Sequence, residues 1–395
     1  MPHEQAPRMI GNRVLLTLWL AAAIGVALLP FATLSPNRLV SGQPVMLWQA
    51  LPGWQLGALG LIAAGLLLAA LARGLASRTA CWLGLALTLP LLGLTLFALG
   101  DYAQRALAEA SPAARVSQGG AFWLLLLAAA LIAVDALQRL RLALLARALF
   151  ALLALGLIGA CLASDLLAPL SLMREFANQR DIFVAQGLRH LALVGGALLP
   201  ALVLGLPLGL VATRSRRWRD GLFSVLNVFQ TLPSIAVFGL LIAPLAALAH
   251  AVPWLGELGV SGIGVAPAII ALVLYSLLPV VRNTYAGLAG VPATTLEAAR
   301  GMGMTSRQIL WRVELPLALP VILSGLRIVT VQAIGLTVVA ALIGAGGFGA
   351  FIFQGLGQYA IDLVLLGAIP TIVLAVIADF LLQLLVAASR PPGTR

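Results

Sequence analysis

The sequence predicts an all-α polytopic membrane protein of about ten transmembrane helices. Three observations carry this. Of the 395 residues, 62% are apolar and only 9% charged, whereas soluble domains carry about a quarter charged residues. Mean hydropathy is +1.06. Apolar runs recur at the length of about 20 residues that a spanning helix requires. They lie near 14–34, 54–72, 80–100, 120–136, 142–163, 190–212, 222–249, 263–285, 317–344 and 362–388. A closed β-barrel, the other spanning structure, would alternate apolar and polar residues. These runs do not alternate.

Each run then has a side to start from. Ten spans place both termini on one face, and positive residues favour the cytoplasm. Every basic residue is arginine. With the N-terminus inside, seventeen arginines fall in cytoplasmic segments and six outside, and Arg327 falls within a span. The expected orientation is therefore N-in and C-in, in a bacterial cytoplasmic (inner) membrane. The net charge of +11 is spread over the cytoplasmic turns, not gathered into the single patch that nucleic-acid binding uses, so no nucleic-acid partner is expected. The first run is too long for the 7–15-residue core of a signal peptide and reads as an uncleaved anchor. Cys81 and Cys161 have no disulfide or metal spacing and read as packing residues.

One stretch departs from this background. Residues 297–316 hold Glu297, Arg300, Arg307, Arg312 and Glu314, five charges in twenty residues, in a cytoplasmic position. Thr294 with Glu297, and Thr305 with Gln308, have capping-box spacing. Gly301 and Gly303 break the pattern between them, since glycine is costly within a helix. The expected structure is a helix–glycine–helix elbow, with Pro316 ending the second helix. Ile309, Leu310 and Val313 share a face of that helix, with Met302 and Met304 at the bend. Methionine suits a surface that repacks against a partner; equally, the elbow's apolar residues could rest on the bilayer.

The order Glu297-Ala298-Ala299, Arg300, Gly301, Met302, Gly303, nine residues, then Val313-Glu314-Leu315-Pro316 resembles the cytoplasmic signature loop of bacterial ABC importer permeases, with valine in place of isoleucine. The resemblance covers about 200 residues. QTLPS (230–234), LLPVVRNTYAGL (277–288), LPLALPVILSGLR (315–327) and IGAGGFG (343–349) are similar to osmoprotectant permeases for glycine betaine, proline betaine or choline. Methionine and other amino-acid importers have comparable loops. The resemblance implies a type I, methionine-importer-like fold over 189–389, with a coupling loop over 286–316 gripped by a separate ATPase. By that likeness the small residues Ala298 and Ala299 permit close approach, Gly303 bends the elbow, Glu297 anchors the first helix, and Arg300 has no role fixed by the motif. It also implies two ATPase subunits that use ATP and magnesium, a second permease copy or paralogue, and an extracytoplasmic solute-binding protein. Residues 1–165 resemble an extension with five spans found in some members; 166–188 read as an extracytoplasmic linker and 390–395 as a cytoplasmic tail.

Enzymatic readings find no footing. Gly344, Gly346 and Gly349 match G-x-G-x-x-G, but a dinucleotide site needs a βαβ setting, and these follow a membrane span. A P-loop needs lysine, and the chain has none. His3, His190 and His250 are not spaced for a metal. No cofactor is expected on this chain. An ion-coupled secondary carrier, the alternative of another class, usually holds ionisable residues at mid-membrane. The intramembrane candidates here are Arg327 and, near the cytoplasmic end of the last span, Asp379, which could pair with it, unless Arg327 snorkels toward the cytoplasm. One arginine is poor machinery for ion coupling.

Polar residues within spans mark the expected path. Asn227, Gln230, Thr231 and Ser234 fall at i, i+3, i+4 and i+7 of the seventh run. Arg327, Thr330 and Thr337 lie roughly in line on the ninth. Such stripes face a cavity or bond neighbouring helices. Phe348, Phe351, Phe353 and Tyr359 cluster in sequence at the outer end, where they would form a gate or anchor at the interface.

Overall fold

The computed structural model describes residues 11–37, 40, 42–72, 76–257 and 259–389; Arg8, Arg38, Arg73 and the tail over 390–395 lie outside them. The chain is overwhelmingly helical and divides into two compact units, Met1–Asn178 and Gln179–Arg395. Among the described residues nine helices are long and apolar enough to cross a membrane, and Arg13–Leu28 is a shorter apolar helix.

That short helix, α1 (Arg13–Leu28), corrects the first expected span. Asn12 caps it by accepting the Leu15 N–H, and the chain turns extended at Leu29, just ahead of Pro30, as residues before proline do. Its 16 residues rise about 24 Å at 1.5 Å each. The rest of the run is a strand. β1 (Ala32–Ser35) sits between β2 (Gln43–Val45) and β3 (Arg115–Gln118), both antiparallel, with Ala32 opposite Val45 and Gln118. Four-residue strands give too little alternation to stand out beside 20-residue apolar runs. α2 (Leu47–Ala50), α3 (Gly53–Leu71), α4 (Ala76–Ala108), α5 (Gly120–Arg139), α6 (Leu144–Ala163) and α7 (Ser171–Asn178) complete the first unit. Its core includes Phe31, Leu99, Phe122 and Ile132, with Phe31 and Phe122 edge to face.

In the second unit α8 (Arg180–Arg214) starts where the linker over 166–188 is expected, and α7 also lies in that stretch. The order continues with α9 (Arg216–Thr231), α10 (Ser234–Ala251), α11 (Pro253–Glu257) and α12 (Val265–Ala289). After α13 (Ala293–Gly301) and α14 (Ser306–Ile309), a π-helical turn (Leu310–Glu314) leads into α15 (Leu315–Ala340). α16 (Gly349–Gly357) and α17 (Ile361–Ala388) close the unit. α12 is its axis and packs on α8, α9, α10 and α15. On α8 a Cβ at Gly205 would lie 2.6 Å from Val280, and one at Gly209 2.5 Å from Thr284. This is the small-xxx-small seam by which helices approach closely in lipid. The seventh expected span is two helices, not one. Leu232 and Pro233 are extended between α9 and α10, because proline has no N–H and its ring displaces the preceding turn.

Candidate functional site

The elbow over 293–316 is built from its turns. α13 begins at Ala293 behind Pro292, and no side chain caps it. The expected Thr294–Glu297 box is therefore absent: the helix is already under way at Thr294, and proline supplies its entry. It ends in a Schellman turn. The Gly303 N–H reaches the Arg300 carbonyl and the Met304 N–H reaches that of Ala299, with Gly303 left-handed at φ +78°. Glycine is the residue this position favours. The second box does form. Thr305 Oγ1 accepts the Gln308 N–H at 3.4 Å, and Gln308 Oε1 accepts the Thr305 N–H at 2.9 Å.

Pro316 does not end the second helix. The Leu315 N–H reaches back five residues to Leu310, and the helix runs on into α15. A widened turn, with proline in the first turn of the apolar helix, passes a residue that has no donor.

The elbow's inner and outer faces are now distinct. Ala299 and Ile309 are buried, while Leu310, Val313 and Leu315 are half-buried. Glu297, Ala298, Arg300, Gly301, Gly303 and Pro316 are exposed. The exposed apolar side chains are Met302 at 74% and Trp311 at 63%, so the apolar face expected from Ile309, Leu310 and Val313 turns inward. Trp311 escaped the sequence reading; its signal was an aromatic set between charged residues. Glu314, buried in the π turn, is paired with Arg214 at the end of α8.

The polar residues of the spans are mostly bonded within the unit. Gln230 donates to the Tyr275 carbonyl at 2.6 Å, and the Tyr275 hydroxyl donates to the Leu232 carbonyl at 2.6 Å. Together they brace the break at Pro233 against α12. Thr231 donates to Val228, one turn back. Asn227 is exposed and Ser234 half-buried. Because the helix breaks between them, Ser234 does not continue the face of Asn227, Gln230 and Thr231. On α15, Thr330 and Thr337 are buried and return their hydroxyls to Leu326 and Ala333. Arg327 forms a two-pronged ion pair with Asp379 of α17, Nη2 donating to Oδ2 at 2.7 Å and Nε to Oδ1. A fork of this kind matches carboxylate geometry.

At the other end of α15 the glycine-rich loop leads into α16. Phe348 and Phe351 are buried, and both rings lie against Phe183 of α8, at 5.3 and 6.1 Å between centroids. Phe353 is half-buried and Tyr359 is 96% exposed. Among the described residues neither makes a ring contact with that pair. The loop is held by α8: Gln186, Arg189 and His190 bond Gly347, Ala345 and Phe348 respectively. Those three were not singled out from the sequence as a group. Among the described residues no cluster of side chains is arranged to hold a metal ion.

Residues 205–391 match the family described as binding-protein-dependent transport system inner membrane component, and residues 12–173 match the N-terminal domain of the ABC transporter permease YehY. The carnitine transport permease protein OpuCB of Listeria monocytogenes is 39% identical, over 56% of this chain and 94% of its own length. The osmoprotectant import permease protein OsmW of Salmonella typhimurium is 40% identical, over 52% and 91%. The choline transport system permease protein OpuBB of Bacillus subtilis is 38% identical, over 52% and 87%. A solved inward-facing MetNI methionine ABC transporter chain aligns at a TM-score of 0.47 and 23% identity, over 53% of this chain and 96% of that one.

Proposed function

Since the chain belongs to the family of binding-protein-dependent ABC importer permeases, we propose that it is the membrane-spanning subunit of an ATP-driven importer for betaine- or choline-like osmoprotectants. The chain is a multi-pass permease subunit. In the proposed machine a solute-binding protein delivers to the outer face, two ATPase subunits close on ATP and magnesium inside, and two permease copies or paralogues form the path. This chain supplies no ATPase site. Both termini are cytoplasmic, as the arginine distribution favours.

The elbow carries the reading. It lies between two apolar helices, folds through Pro292, its glycine turn and the Thr305–Gln308 box, and exposes Met302, Trp311, Ala298 and Gly303. Glu297, Ala298, Ala299, Arg300, Gly301, Gly303, Val313, Leu315 and Pro316 are its proposed coupling residues, with Ala299 packed beneath the surface and Gly303 setting the bend. Gln230 is assigned to bracing the broken seventh run. Asn227, Thr231, Ser234 and Arg327 remain the proposed path-side group, Thr330 and Thr337 being buried with their hydroxyls returned to their own helix, and Phe348 and Phe351 are the proposed outer gate. Phe353 and Tyr359 serve better as anchors at the interface. The solute class rests on the relatives' names and on their identity over most of their length.

An ion-coupled carrier needs an ionisable group free to bind its ion at mid-membrane. Asp379 is instead occupied by Arg327, which supports the ATP-driven reading. Reconstitution with the cognate ATPase and binding protein tests it. Glycine betaine, proline betaine or choline should stimulate ATP hydrolysis and enter the vesicles, and uptake should survive a collapsed proton gradient while ATP is kept. Methionine-only stimulation, or uptake lost with the gradient, would overturn it.

A further inference from the structure

α8 holds two distant parts of the second unit, one at each end. Gln186, Arg189 and His190 stand at i, i+3 and i+4, so they share a helical face. Arg189 Nε donates to the Ala345 carbonyl at 3.0 Å, Gln186 Oε1 accepts the Gly347 N–H at 2.6 Å, and His190 Nδ1 accepts the Phe348 N–H at 3.3 Å. A ring nitrogen that accepts leaves the neutral imidazole's proton on the other nitrogen. Gly346 and Gly347 are left-handed, at φ +82° and +83°. A Cβ on either would press on these same side chains, 3.0 Å from Gln186 Oε1 and 3.1 Å from His190 Nδ1. The IGAGGFG motif is thus shaped to be gripped by one face of α8.

From His190 to Arg214 the helix advances 24 residues, about 36 Å at 1.5 Å each. There Arg214 meets Glu314, which is buried in the π turn of the elbow. A buried carboxylate is expensive to leave unpaired, so this tie is not readily given up. One continuous helical element, with Pro200 and Pro207 inside it, therefore links the elbow to the loop that aims Phe348, alongside α15, which joins the same two parts through the chain itself.

We propose that α8 is a connecting rod that makes the glycine loop and Phe348 move with the cytoplasmic elbow. Gln186, Arg189 and His190 are the positioning residues at its outer end, and Arg214 with Glu314 at its inner end. The proposal rests on the transport reading above. Cutting either end leaves only α15 to carry the elbow's movement to the gate and so lowers the coupling, and coupling between sites is typically worth on the order of 5- to 150-fold.

The test uses the complete transporter in vesicles and reads solute moved per ATP hydrolysed. Gln186→Leu weakens the outer end by removing one of its three bonds, and Glu314→Leu cuts the inner end. Each is expected to lower that ratio about tenfold, within the coupling range above, with hydrolysis retained. Gln186→Glu, which keeps an acceptor oxygen, and the exchange Arg214→Glu with Glu314→Arg are expected to restore it. The double variant should be no worse than the more severe single one, because both act on one rod; losses that multiply, as independent sites do, overturn the proposal. So does an unchanged ratio in both single variants. A second measurement avoids both sites. Spin labels at exposed Leu188 and Leu356 should keep their separation between ATP-free and ATP-trapped states, and a change beyond about 2 Å, the scale of loop rearrangement, refutes a rigid connection. If the unsubstituted complex shows no ATP-driven uptake, the transport reading itself fails, which is a separate result.

Discussion

The two units satisfy their charges differently. In the first, among the described residues, the acid–base pairs on spanning helices lie within one helix. Asp101 pairs with Arg105 on α4 and Asp135 with Arg139 on α5, both at i, i+4. An amide from another helix completes each site, Gln55 Nε2 at 2.8 Å from Asp101 and Asn12 Nδ2 at 2.9 Å from Asp135. In the second unit the corresponding pairs join different elements, Arg214 with Glu314 and Arg327 with Asp379. A pair within one helix steadies that helix and says little about its neighbours. A pair across helices fixes how they are placed. On the spanning helices described, the first unit thus reaches between helices with neutral amides, and the second with ion pairs between the helices proposed to move.

The largest effect expected from this contrast is at Arg327. Asp379→Ala leaves the arginine unpaired within its span, where inserting a lone arginine at the centre costs about 2.5–3.5 kcal/mol. Folded yield and uptake should both fall strongly, and exchanging the two residues should recover most of the yield. Recovery of nothing would mean that the pair's surroundings, not its charges, decide the placement.

Next comes a graded test of the elbow. No atom lies within 4 Å of a Cβ built at Gly303, so within this chain alanine and tryptophan there bear the same backbone cost, about 1–2 kcal/mol for a left-handed residue. If a partner grips the elbow, Gly303→Trp should abolish solute-stimulated ATP hydrolysis while Gly303→Ala only weakens it, with membrane insertion intact in both. Equal activities would remove the elbow from the coupling surface. The smallest effect belongs to the first unit. Arg139→Gln removes an i, i+4 pair worth about 0.3–0.5 kcal/mol, and uptake should stay within twofold of the parent; a larger loss would break the contrast between the units.

Much of this was legible in the sequence, for reasons that differ by feature. Thr305 with Gln308 announced their helix start because a capping box is a local bond. Gly303 announced its turn because few other residues tolerate that φ. Thr294 misled, since Pro292 upstream had already set the helix entry. Pro316 misled too, because the π turn ahead of it absorbs the missing donor. The stripe from Asn227 to Ser234 assumed a continuous helix, which Pro233 breaks.

Sequence alone pointed to a chain that lives in lipid, to the approximate places of most of its long helices, and to a charged elbow between two of them. Each of these follows from composition and from contacts between residues a few positions apart. Only the tertiary structure decided that Arg327 meets Asp379, that Arg214 meets Glu314, and that one face of α8 grips the glycine loop. These partners stand between 52 and 161 positions apart, and no local rule pairs them. The packing of α8 and α15 around α12, and of α17 on α15, brings them together.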